Sequence, residues 1–125
     1  MMTNYLSNKL LNHTLRNVAF TSPATVYLAL FTVIPDANAA GGTEVTGGSY
    51  ARQALAFGAA VDGLMYNSTV LTFPAMPACS IVGAGIFDAA SAGNLLFIGR
   101  FSYTGLIAAA TDLSVQIGDV VEVLH

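Results

Sequence analysis

From residue 24 onward, turn-forming residues cut the chain into apolar or alternating runs too short for helices. This punctuation constrains the fold more than any other feature. Thr25–Thr32 is apolar on both faces and lies between Pro23 and Pro35, which predicts a strand buried on two sides. Tyr50–Phe57 sets Tyr50, Arg52, Ala54 and Ala56 against Ala51, Gln53, Leu55 and Phe57, the period of a strand with one mostly buried side. Residues 64–73 give one or two short strands, and Pro74-Ala75-Met76-Pro77 breaks the chain. Ser80–Phe87 alternates again, with Gly83 and Gly85 predicting close backbone approach or a bulge. Asp88–Asn94 reads as a hairpin loop, Leu95–Tyr103 as its returning strand and Gly105–Asp112 as a small-residue loop. Leu113, Val115 and Ile117 then lead through a Gly118-Asp119 turn to a last strand over Val120–Leu124.

Seven or eight short strands without βαβ alternation argue against a parallel sheet. The expected fold is mainly β, an antiparallel β-sandwich or jelly-roll-like barrel over residues 21–125. One N-terminal α-helix or arm over residues 1–20 precedes it, and residues 1–125 read as a single domain without repeat or linker. The helical pattern spans residues 4–18, where Leu6, Leu10, Leu11, Leu15 and Val18 make an apolar stripe. Thr3 or Ser7 is the expected cap, and Asn17 the expected end signal before Ser22-Pro23. Lys9, His13 and Arg16 share one face at i, i+4 and i+7. A solvated helix face is the ordinary explanation for them, and contact with an acidic partner surface the sharper one.

Residues 35–48 form a loop shaped by Gly41, Gly42, Gly47 and Gly48, which run directly into the strand that carries Arg52. An arginine in mid-strand among apolar neighbours needs a carboxylate. That partner lies either within the chain, at Glu44 or Asp62, or across an interface.

Only 9% of residues are charged, against about 25% in an ordinary soluble domain. The chain therefore enters a membrane or has much of its surface covered by other protein. No apolar run approaches the roughly 20 residues that a spanning helix needs, and no signal peptide is visible because Lys9, Asn12, His13 and Arg16 interrupt the N-terminal apolar positions. Burial by neighbouring subunits is left. The net charge of −3 argues against nucleic acid as the main partner. The single Cys79 sits in an apolar stretch, as expected of a small core residue in a chain made in a reducing cytoplasm.

The inventory for catalysis is thin. His13 and His125 have no nucleophile or orienting group nearby in sequence. The carboxylates Asp36, Glu44, Asp62, Asp88, Asp112, Asp119 and Glu122 fall mostly in turns, where such side chains bond backbone amides. Asp36-Ala-Asn38-Ala-Ala-Gly41 lacks the third ligand and closing glutamate of a calcium loop, and Gly83-Ala-Gly85 lacks the third glycine of a dinucleotide loop. Asn12-His-Thr14 and Asn67-Ser-Thr69 match glycosylation acceptors but carry no weight without a secretory signal. The expectation is a non-enzymatic protein with no cofactor and no metal.

The run Tyr5–Asn17 and Tyr27–Thr32, with Gly42–Gln53, Gly85–Ala90 and Gly93–Phe97, resembles a family of small virion proteins of tailed bacteriophages. The Glu44–Gln53 block is its most specific part. Departures lie mainly in residues 101–112, where a more polar strand and turn is expected. Members of such families are often labelled tail-fibre proteins, and similar small β-proteins serve as capsid cement. A chain with no shaft and no long repeat is expected to be a capsid decoration or cement protein on the outer capsid surface, made in the host cytoplasm. It would clamp adjacent major capsid protein subunits, and the resemblance implies a homotrimer. The alternative is a tail-fibre or tail-associated protein that recognises a host-surface glycan. Under the cement reading Lys9, His13, Arg16, Glu44 and Arg52 are the candidate contacts to the coat or a sister subunit; the tail reading predicts an exposed aromatic pocket instead, and no nucleic acid and no membrane is expected as a partner.

Overall fold

Helix α1, Asn4–Leu15, begins where Thr3 leaves extended backbone and its Oγ1 accepts the Leu6 N–H at 3.4 Å. The computed structural model describes residues 1–123; Leu124 and His125, part of the expected last strand and one of the two histidines, lie outside them. The helix ends three residues earlier than its apolar pattern, because Asn17 turns left-handed at φ 56°. Of the stripe, only Leu6 is buried; Leu11 and Leu15 are 55% and 77% exposed. The anchors explain this, since all lie at or before the first helical residue. Thr3 Oγ1 donates to the Leu95 carbonyl at 2.7 Å, the Thr3 N–H to Leu96 at 2.9 Å, and the Asn4 N–H to Ala37 at 2.9 Å. Beyond its first turn the helix stands clear of the sheet.

The strands are β1 (Val26–Val33), β2 (Thr43–Glu44), β3 (Gln53–Leu55), β4 (Leu64–Tyr66), β5 (Leu71–Met76), β6 (Cys79–Phe87), β7 (Leu95–Ile107), β8 (Thr111–Val115) and β9 (Val121–Val123). All pairs are antiparallel. β1, β6 and β7 lie side by side, and β2 and β3 share the outer edge of β1, completing a five-stranded sheet. Two ribbons accompany it, β4 with β9 and β5 with β8. The architecture is mainly β with antiparallel sheets and one N-terminal helix, as the punctuation predicts.

β1 is buried on both faces, as its unbroken apolar run requires. Leu28 and Leu30 face a core shared with Leu55, Leu71, Phe73, Met76, Ile81 and Ile86, so the β5–β8 ribbon covers that side. Ala29 and Phe31 face a smaller cluster with Leu95 and Ile98. The glycines of β6 make this density possible. A Cβ on Gly83 would run into the Gly99 carbonyl and Ile34, and one on Gly85 would lie 2.7 Å from Leu95 and 2.8 Å from Phe31.

Four further elements differ from expectation. The Tyr50–Phe57 strand is reduced to Gln53–Leu55, because the Tyr50 N–H closes a turn onto the Gly47 carbonyl and Tyr50 meets Leu30 through its phenol rather than its backbone. The 35–48 loop contains the two-residue β2. Pro74 does not end its strand: β5 runs through it with a register shift between Phe73 and Met76, and Ala75 stands at φ 43°. β5 pairs on one side only, so the missing proline N–H costs no ladder bond, and Asp112 Oδ1 accepts the Ala75 N–H at 2.8 Å. β7 extends to Ile107, which shortens the expected 105–112 loop.

Candidate functional site

The edge of β1 shared by β2 and β3 has a gap at Leu30. Glu44 in β2 pairs with Phe31, and Gln53 in β3 pairs with Leu28. The Leu30 carbonyl is taken by the Val45 N–H at 3.0 Å, but its N–H has no strand to meet. Tyr50 fills the gap: the Leu30 N–H donates to its phenolic oxygen at 3.0 Å, and the phenol donates to Glu44 Oε2 at 2.7 Å. Its ring stacks on Phe73, with centroids 5.8 Å apart.

Glu44 passes the network to Arg52. Arg52 Nε donates to Oε2 at 3.0 Å and Nη2 to Oε1 at 2.9 Å, a two-pronged pair with the side chains 9% and 24% exposed. The remaining prong, Nη1, donates to the carbonyls of Ala89 at 3.0 Å and Ala92 at 2.8 Å in the hairpin loop between β6 and β7. The guanidinium carbon lies 3.5 Å from the Phe87 ring centroid. Five donors in a fixed plane allow one side chain to hold a carboxylate, a loop and an aromatic face together. The loop is also tied from its base, where the Asn94 N–H donates to Asp88 Oδ1 at 2.7 Å.

The structure thus pairs Glu44 with Arg52 and leaves Lys9, His13 and Arg16 on the exposed side of α1. Lys9 lies 5.6 Å from the Tyr5 ring centroid, and Arg16 Nη1 donates to Asn12 Oδ1 at 3.3 Å. Asp62, the other carboxylate weighed for Arg52, sits in the turn before β4 at φ 54°. Tyr50, Phe87 and the two alanine carbonyls are the members that sequence reasoning missed. Only Tyr50 left a signal, in its spacing of two from Arg52.

The Tyr50 phenol is held in its protonated form. Burial pushes the Tyr50 phenol above its ordinary value, the Leu30 N–H pulls the other way, and the Glu44 carboxylate raises it again. A phenol held protonated between a donor and an acceptor is a structural bond. Burial likewise raises the Cys79 thiol, away from the thiolate that nucleophilic or metal chemistry uses. Among the described residues no three His, Cys, Asp or Glu side chains gather around a point where a metal could sit. Among the described residues no helix is long and apolar enough to cross a membrane.

A cavity of about 440 Å³ opens between the sheet and β8, walled by Leu28, Ile86, Phe97, Ile107 and Leu113, with Arg100 and Asp119 among its polar groups. Asn67, in the matched glycosylation triplet, is buried and fully bonded. Its Nδ2 donates to Thr69 and Gln116, and its Oδ1 accepts the N–H groups of Gly118 and Val120, so the folded chain has no amide to offer there.

A family model described as Gp80, Podophage GP4 fiber I protein gp80, matches residues 1–122. No curated protein matches the chain.

Proposed function

The chain belongs to the family of Podophage GP4 fiber I protein gp80 and is a phage virion structural protein, and from that premise we propose that it is a non-enzymatic subunit of the tail fibre or its attachment. The family description is the observation that carries this reading, and it weighs for the fibre over the capsid cement that the sequence alone favours. The geometry is compatible with a structural part. Its most elaborate polar network, from Leu30 through Tyr50 and Glu44 to Arg52 and the 88–94 loop, ends in main-chain carbonyls and offers no reacting group. Recognition of a host-surface glycan is the task such a subunit would serve. The exposed aromatic rings of Tyr66 and Phe101 are faces on which a sugar can stack.

Immunogold labelling and peptide quantification on intact virions test the placement. Gold at the tail and a handful of copies per particle are expected. Label spread over the shell at hundreds of copies overturns the fibre and restores the cement reading, with the major capsid protein as partner.

A further inference from the structure

Charge is segregated along this chain. Residues 1–35 contain Lys9 and Arg16 and no acidic residue, while residues 36–125 hold all seven carboxylates and only Arg52 and Arg100. The basic part is the helix that stands clear of the sheet. At 100° per residue its free side carries Leu11 and Leu15 along one border, Arg16 and Lys9 along the other, and Asn8 and Asn12 between. Such a surface is complementary to one that sets apolar and acidic groups close together.

The chain itself presents one. Val61 and Leu64 exchange both backbone hydrogen bonds at 2.9 Å around Asp62 and Gly63, whose φ values of 54° and 77° close a two-residue hairpin turn. Val61 at this tip is 66% exposed, and Tyr66 on β4 is half exposed. Asp36, Glu44, Asp88, Asp112 and Asp119 all accept hydrogen bonds from the chain. Among the described residues the Asp62 carboxylate accepts none, so its oxygens are free for an incoming cation.

We propose that the free side of α1 docks on the Val61–Tyr66 hairpin of a second copy, with Arg16 and Lys9 meeting Asp62 and Leu11 and Leu15 covering Val61. The two surfaces are different, so each copy both gives a helix and receives one. Such a contact closes into a ring or continues as a filament. It is a property of the chain alone and stands whether the protein serves the fibre or the shell.

Sedimentation velocity on the full chain tests it, at about 0.1 M and about 1 M salt, between which the Debye length falls from about 10 Å to about 3 Å. Self-association at the lower salt that weakens roughly tenfold at the higher salt is expected. A chain monomeric at both, or association indifferent to salt, overturns the contact. Arg16→Glu and Asp62→Asn are each expected to weaken association roughly fivefold, asparagine being chosen because it accepts a left-handed turn. Combining Arg16→Glu with Asp62→Asn is expected to weaken association no further than Arg16→Glu alone, since no opposing charge is left to lose; a fully additive loss overturns the pairing. Leu11→Ser keeps every charge and is expected to weaken association at both salts, and an unchanged constant removes the apolar border. Circular dichroism confirms that each variant is folded before it is scored.

Discussion

Arg52 joins three unlike things: the Glu44 carboxylate, two carbonyls of the 88–94 loop and the face of Phe87. Removing one member of a buried pair costs more than the pair contributes, because the other charge stays behind. Arg52→Ala is therefore expected to lose about 3 kcal/mol in urea unfolding. Arg52→Lys should recover only part of this, since an ammonium cannot place donors on both sides of a plane. Tyr50 makes a pH prediction with a definite sign. Its folded value is raised, so stability is constant while the unfolded phenol stays protonated and falls as pH rises past about 10. Tyr50→Phe should flatten that alkaline decline while costing about 1–3 kcal/mol at neutral pH, because the Leu30 N–H loses its acceptor. At this scale the sequence showed that Arg52 needed a carboxylate and named Glu44 among the candidates. It could not show Tyr50 as a stand-in for a missing strand, because a tyrosine in an alternating run looks like any other strand residue.

Elements were legible where one local signal decided them. β1 sits between its two prolines as an unbroken apolar run must, and Thr3 caps α1. Elements were misjudged where a distant bond overrode the local pattern. Pro74 ought to end a strand, yet an Asp112 oxygen from the neighbouring strand stabilises the bulge that lets β5 continue. The helix begins where its pattern does but stops three residues short of it, and its leucines give no hint that its hydrogen-bonded anchors fall before its second turn. Thr3→Val tests those anchors, since it removes the cap and the bond to Leu95 without changing shape. About 1–2 kcal/mol should be lost in urea unfolding, with the helix becoming the first site of limited proteolysis. Gly83→Ala tests the sheet, because its methyl group meets a carbonyl of β7. A loss of about 2–3 kcal/mol is expected by the same measurement.

The whole molecule is short of charge, and what it has is unevenly placed. With an isoelectric point near 4.9, turbidity at fixed protein concentration should peak near pH 5, where net repulsion between copies vanishes. The Arg52 network adds a constraint of another kind, on the order of assembly. The guanidinium that holds the 88–94 loop comes from 37 and 40 residues earlier in the chain than the carbonyls it binds. A growing polypeptide presents Glu44 and Arg52 first and must keep them apart from other partners until β6 emerges. Docking of Arg52 on that loop is thus expected to follow closure of the hairpin itself, because it draws together a far longer stretch of chain. The loop records whether the sheet behind it has been completed.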